Sequence, residues 1–260
     1  MGSPVSMSIA VAIPHTPWIP ERAVSLARVL AECPTAAVYS DRAPNYQWSL
    51  DLWRGLLATG AEWCVQLQDD VIPMPGLMGA LRGICASGTG RVYGLHSGHP
   101  GGPALAAQGR RWYRTRAWVV GVGYVLHRDV LAGLVRWREA CETLARATNE
   151  DDLIGQYLVS IGEYVYHPIP TVIDHDTSVA STYMNDAHAL RRPSVLWRNY
   201  DAAAMQQPEF WREEAAPVDL VSPYACICQF CGARARPPLC RVCIVKIVGE
   251  NLGLTMQEQK

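Results

Sequence analysis

The chain has 260 residues, with 23 basic against 24 acidic side chains and 49% apolar residues. So much apolar content at a net charge near zero excludes a disordered chain and a globally basic nucleic-acid binder, and the length suffices for one sizeable core plus a small appendage. No apolar run approaches the ~20 residues of a membrane span, and the N-terminus lacks a basic stretch followed by a long apolar one, so a cytoplasmic location is expected.

In chain order, residues 9–13 form a short apolar run that ends at Pro14, His15 and Thr16, a strand entering a loop. Pro20 opens a helical pattern with Val24, Ala27, Leu30 and Ala31 on one face. Residues 36–39 read as a second strand, ending near Asp41 and Arg42, and a helix from about Tyr46 turns Trp48, Leu52, Leu56 and Trp53 or Leu57 inward. A third strand ends in Gln68-Asp69-Asp70, followed by a Pro-Gly turn, a helix marked by Leu77, Leu81 and Ile84, and a strand over 91–95. This alternation predicts an α/β fold with a parallel, helix-covered sheet.

Residues 97–109, rich in Gly, Pro and Ala, predict a mobile loop long enough to close as a lid. Residues 117–126 are β-rich, 129–147 are strongly periodic, and Asn149 caps a further helix that begins Glu150-Asp151-Asp152. Acids in a first turn also suit the helix dipole, so their chemistry is not implied by position alone. Residues 164–173 read as extended and end in Asp174-His175-Asp176; residues 185–223 are polar and Pro-interrupted.

Two adjacent carboxylates at the end of a buried strand put costly charge where open α/β sheets bind ligands. Such a pair suits a hard divalent cation, Mg²⁺ or Mn²⁺, able in turn to hold a diphosphate. The ordered set of Pro14-His15-Thr16, Asp41, Asp69-Asp70, Glu150-Asp151 and His175 resembles the GT-A fold nucleotide-sugar glycosyltransferases. Those carry a DxD-type metal motif, an xED motif and a C-terminal metal-ligating histidine. The resemblance covers about residues 8–180, with one departure: the usual DxD would need an acid where this chain has Gln68.

The resemblance implies a Rossmann-like GT-A sheet and transfer of a sugar from a UDP- or GDP-linked donor to an acceptor hydroxyl. By it Asp70 is the primary metal ligand, Asp69 binds ribose or metal, and His175 completes the metal shell with Asp174 or Asp176 behind it. Asp41 with Arg42, and Pro14, His15 and Thr16, would line the nucleotide site. Asp151 is the base that activates the acceptor, with Asp152 able to replace it, and inversion at the anomeric carbon is favoured.

The nine cysteines fall into two groups. Cys33, Cys64, Cys85 and Cys141 sit in apolar patterns and read as small core residues. Cys228-x-x-Cys231 and Cys240-x-x-Cys243 supply four thiolates for a closed structural Zn²⁺ site resembling a zinc ribbon or treble clef, with Cys226 as a spare. The expected organisation is a glycosyltransferase domain over 8–183, an irregular extension or linker over 184–223, and a zinc unit over 224–260.

Arg110, Arg111, Trp112, Arg114 and Arg116 interleave guanidinium groups with aromatics, as phosphate contacts and base stacking require. With a locally basic zinc unit, they point to DNA as acceptor, such as a hydroxymethylated pyrimidine in phage-type DNA. An amphipathic strand with outward arginines explains the same stretch, and a protein or small-molecule acceptor stays open. Two other classes compete: a metal-dependent nuclease or phosphoryl-transfer enzyme built on Asp69, Asp70, Asp151 and His175, and a non-enzymatic zinc-dependent binding module.

Overall fold

A computed structural model describes residues 7–40, 45–96, 98–116, 121–140, 150–176, 178–179, 195–220, 226–227 and 234–235, the backbone alone at 45–47, 226–227 and 234–235. Asp41, Arg42, Cys141, Asn149 and the four zinc-site cysteines expected from the sequence lie outside the described residues.

The fold is α/β, one eight-stranded sheet with helices on both faces. Its strands are β1 (Ile9–His15), β2 (Ala37–Ser40), β3 (Trp63–Leu67), β5 (Val92–Gly94), β6 (Trp112–Thr115), β7 (Gly123–His127), β8 (Val165–Pro168) and β10 (Val218–Leu220), in the order β10-β6-β8-β5-β7-β3-β1-β2. A separate two-stranded ribbon joins β4 (Val71–Pro73) and β9 (Ile173–His175) antiparallel. Every residue of β3 is buried, as expected of a strand covered on both faces.

The sheet is mixed, not parallel. β1 pairs parallel with β2 and β3, but β7 runs antiparallel to both β3 and β5, and β6 antiparallel to β8. The chain reverses between β5 and β6, and β6 and β7 run the same way, so which strands pair is set by contacts distant in sequence and not by strand–helix alternation. Gly123, at the start of β7, lets the ribbon approach the sheet: a Cβ there would lie 2.5 Å from Ile173 Cδ1.

One face of the sheet is covered by α2 (Asn45–Ala58), α5 (Arg128–Ala140) and α6 (Glu150–Ser160), through Leu52, Trp53, Leu56, Leu131, Leu134, Ile154 and Leu158. The other is covered by α1 (Glu21–Glu32), α3 (Leu77–Ala86) and the segment 195–211. Helix α1 is turned away from its expected face. Arg22, Ser25 and Val29 are buried, whereas Val24 is 58% exposed, because an ion pair at the helix start, described below, sets its rotation.

Residues 195–220, expected as an irregular extension, complete the core. A 3₁₀ turn (Trp197–Asn199), α7 (Ala202–Met205) and α8 (Pro208–Trp211) bury Trp197, Met205 and Trp211 against α3. Trp211 donates from Nε1 to the Met205 carbonyl and accepts at its own carbonyl from Trp112 Nε1, both at 2.7 Å. The segment expected as a mobile loop contains α4 (Gly102–Ala107), whose Leu105 packs with Tyr113 and Ile169. Cys33, Cys64 and Cys85 are buried thiols, as expected.

Candidate active site

The acid pair sits at the C-terminal end of β3, and both residues are buried, Asp69 at 0% and Asp70 at 4% exposure. Two bare carboxylates at this depth would be prohibitive without a counter-charge. Arg22, one residue into α1 and 3% exposed, supplies it: Nη1 binds Asp69 Oδ1, and Nη2 donates to Asp70 Oδ2 at 2.8 Å. A planar guanidinium is suited to bridging two carboxylates in this way.

Asp69 is further fixed on Oδ2 by His15 Nδ1 at 2.9 Å and by the Thr16 amide at 2.8 Å. This differs from the expected role. Asp69 is an internal anchor joining β3 to α1 and to the end of β1, and its burial keeps it from a ribose. Pro14 is likewise buried, while His15 and Thr16 spend these groups on Asp69 rather than on an open nucleotide site.

Asp70, itself buried, connects to the surface through His175. His175 Nε2 lies 3.1 Å from Asp70 Oδ2 and its side chain is 27% exposed. The β4–β9 ribbon creates this meeting, since Val71 pairs with His175 and the Asp176 amide donates to the Asp70 carbonyl at 2.7 Å. Asp176 in turn accepts from Ser25, Arg28 and Ser178, which fastens the ribbon to α1. Burial pushes the Asp70 carboxyl upward, but the His175 hydrogen bond, the charge of that imidazole when protonated and the Arg22 charge outweigh it, so the carboxyl is held below the ordinary carboxylate range.

The geometry admits a divalent cation at Asp70 and His175. Two cis ligands each about 2.1 Å from an octahedral ion lie about 3.0 Å apart, close to the separation observed here. A carboxylate–imidazole pair favours Mn²⁺ over the oxygen-preferring Mg²⁺. Asp69, Asp70 and Arg22 together carry one net negative charge for a cation to offset. Among the described residues, no group of three or more His, Cys, Asp and Glu side chains is arranged for a metal, so a site at Asp70 would draw its remaining ligands from substrate and water.

Asp151 lies at the same end of the sheet. A Cβ on Gly121 would lie 3.7 Å from Asp151 Cβ, and the next carbonyl, of Val122, accepts from the Gln68 amide at 2.9 Å. Asp151 Oδ1 accepts the Asp152 amide at 2.9 Å, an ordinary use of a first-turn acid. The preceding Glu150 is held differently, by Gln66 Nε2 at 2.5 Å and by Tyr124 Oη at 2.6 Å.

The arginine–aromatic stretch is engaged within the molecule. Trp112 is 1% exposed and stacks on no external base. Arg110 pairs with Glu213, Arg111 lies over the Phe210 ring at 4.3 Å, and Arg114 makes a two-point contact with Asp219. Only Arg116 is exposed, donating to Tyr164 Oη at 2.7 Å.

Sequence reading missed Arg22, which was hidden in a helix read by its apolar period, and the polar partners Gln66 and Tyr124, which sit inside strands. Gln66 in the middle of an otherwise apolar run was the one visible sign of a buried polar cluster.

No family model matches the chain, and no curated protein matches it in sequence. Among solved structures it is similar to A197 from STIV (13% identity, 48% of this chain and 68% of that one, TM-score 0.34). It is similar to a glycosyltransferase involved in the glycosylation of the major capsid of PBCV-1 (14% identity, 50% and 66%, TM-score 0.35). A third is mannose-1-phosphate geranyltransferase from Thermus thermophilus (12% identity, 62% and 74%, TM-score 0.35). No helix among the described residues is long and apolar enough to cross a membrane.

Proposed function

We propose that the protein is a metal-dependent glycosyltransferase that moves a sugar from a nucleotide-sugar donor to an acceptor hydroxyl. The observation that carries this reading is the Asp70–His175 pair, 3.1 Å apart at the C-terminal end of a central strand and backed by the buried Arg22–Asp69 anchor.

In this reading Asp70 and His175 hold a divalent cation, Mn²⁺ by preference, which when bound neutralises the diphosphate of the leaving nucleotide. His175 and Arg22 keep the Asp70 carboxylate ionised, and Asp69 holds Arg22 in place. Asp151 accepts the proton of the acceptor hydroxyl, Asp152 being its neighbour in the same turn, and a single displacement inverts the anomeric carbon. A nuclease with two cations would need Asp69 as an open ligand, whereas Arg22, His15 and the Thr16 amide hold both of its oxygens.

For the acceptor we propose a hydroxymethylated pyrimidine in DNA. What supports it is narrower than the sequence alone suggests: Arg114 and Arg116 flank the Tyr164 ring, 4.2 and 4.6 Å from its centroid, and the basic cysteine unit follows. Incubating the protein with a panel of nucleotide sugars and ordinary or hydroxymethylated DNA should yield a hexosyl- or pentosyl-nucleoside by mass spectrometry. Transfer to a protein or small-molecule hydroxyl instead would move the acceptor and keep the reaction; no transfer from any donor would remove it.

We further propose that Cys228, Cys231, Cys240 and Cys243 hold one structural Zn²⁺. Metal analysis of the purified protein should return one zinc per chain, lost together with thermal stability on chelation or in Cys231→Ser; a zinc-free protein of unchanged stability would end this assignment.

A further inference from the structure

Behind the candidate base lies a closed polar network whose protons can be counted. Trp53 Nε1 is 3.1 Å from Gln66 Oε1 and 3.0 Å from Tyr124 Oη. Tyr124 Oη is 2.6 Å from both Gln66 Oε1 and Glu150 Oε1, and Gln66 Nε2 is 2.5 Å from the same Glu150 oxygen. Tyr124 owns one hydroxyl proton and faces two acceptor oxygens at hydrogen-bond distance. Given to Gln66, that proton leaves two bare oxygens in contact at Glu150; given to Glu150, it leaves them at Gln66. Turning the Gln66 amide over does not help, because its oxygen would then face Glu150 Oε1 at 2.5 Å. In either orientation one more proton is needed, and only Glu150 has a place for it.

We propose that Glu150 carries a proton on its carboxyl and acts as an uncharged clamp that ties the first turn of α6 to β3 and β7, positioning Asp151. The proposal rests on the glycosyltransferase reading for its catalytic meaning, though not for the proton itself. Uncharged, Glu150 adds no charge beside Asp151; ionised, it would put a further negative charge next to the base and turn one short contact repulsive.

The charged and titratable groups around it agree. Burial pushes the Glu150 carboxyl up, the Tyr124 and Gln66 bonds and the Arg138 charge pull it down, and the Asp151 charge pushes it up again, to about 7. Arg138 faces it from α5, buried, with Nη1 3.0 Å from Ser49 Oγ, and Asp51 and Arg54 of α2 act on Arg138. The helix N-terminus favours an ionised acid, but by less than burial opposes it.

The sign of the pH effect follows. A carboxyl raised in the folded state adds stability below its unfolded value, about 4.3, and that contribution is lost as pH rises to about 7. Glu150→Gln mimics the protonated form. Its melting temperature relative to wild type should therefore climb between pH 4.5 and pH 7.5, by about 5 °C or more, and then level off. A gap independent of pH in the wild-type background overturns the proton. In transfer assays the wild-type rate should fall above neutral pH, and Glu150→Gln should shift that limb upward; an unmoved limb overturns the positioning role. A protein that transfers no sugar but keeps the pH-dependent gap refutes the glycosyltransferase reading and leaves the proton standing.

Discussion

Arg22→Ala should lower the unfolding free energy by about 3–5 kcal/mol at neutral pH, the cost of leaving buried carboxylates without their partner. Arg22 is the cation that bridges Asp69 and Asp70, and all three side chains are almost fully buried. Its loss leaves two adjacent anions whose repulsion the interior screens poorly. The deficit should shrink in acid. In the wild type, the depressed Asp70 carboxyl contributes stability that is present above the unfolded value of about 3.9 and is lost as pH falls through the lower folded one. In Arg22→Ala the part of that contribution owed to Arg22 is gone while the His175 hydrogen bond remains, so the gap between the two proteins should narrow as pH falls below about 4. Adding Asp69→Asn to Arg22→Ala should recover part of the loss, because the residual anion is then single. Urea unfolding across pH measures all three effects, and a loss under about 1 kcal/mol would mean that the bridge contributes little.

Asp70→Asn should lower transfer by about a hundredfold or more, equivalent to roughly 3 kcal/mol of transition-state stabilisation. The substitution keeps an oxygen for Arg22 but removes the one negative charge left over once Arg22 has paired with the two acids. The fold should survive, since Asp69 and Arg22 then form a balanced pair, and its melting temperature should fall by only a few degrees. Asp69→Asn, by contrast, should act mainly on stability, because Asp69 holds His15, the Thr16 amide and Arg22 inside the molecule. Steady-state rates at saturating Mn²⁺ beside thermal melts separate the two residues. Equal losses in both variants would contradict the division of labour between them.

Much of the scaffold was legible because it follows single periods. The run of residues 63–67 could only be a buried strand, and Leu52, Trp53 and Leu56, like Leu77, Leu81 and Ile84, mark helix faces that are in fact buried. What escaped depends on contacts distant in sequence. The antiparallel insertion of β7 is decided by pairing with β3 across some sixty residues, which no local pattern encodes. Residues 195–211 lack any sustained period, their helices being a single turn each, yet Trp197, Phe210 and Trp211 were aromatic surface too large to leave in solvent. In the site, Asp70, His175 and Asp151 were readable as acids and an imidazole at strand and helix ends. Arg22 was not, because a single arginine in an amphipathic helix ordinarily faces water, and only the structure reveals the two carboxylates it meets.

In the proposed reaction Asp70 and His175 receive a cation and, with it, a nucleoside diphosphate. Its most direct test is the melting temperature of wild type and Asp70→Asn with UDP or GDP, each with and without Mn²⁺. A nucleotide at a hundred times its dissociation constant stabilises by about 2.7 kcal/mol, a rise of several degrees. The predicted result is such a rise in the wild type only when nucleotide and Mn²⁺ are both present, and none in Asp70→Asn. A wild-type melting temperature unmoved by either nucleotide with Mn²⁺, or moved equally in Asp70→Asn, would contradict it.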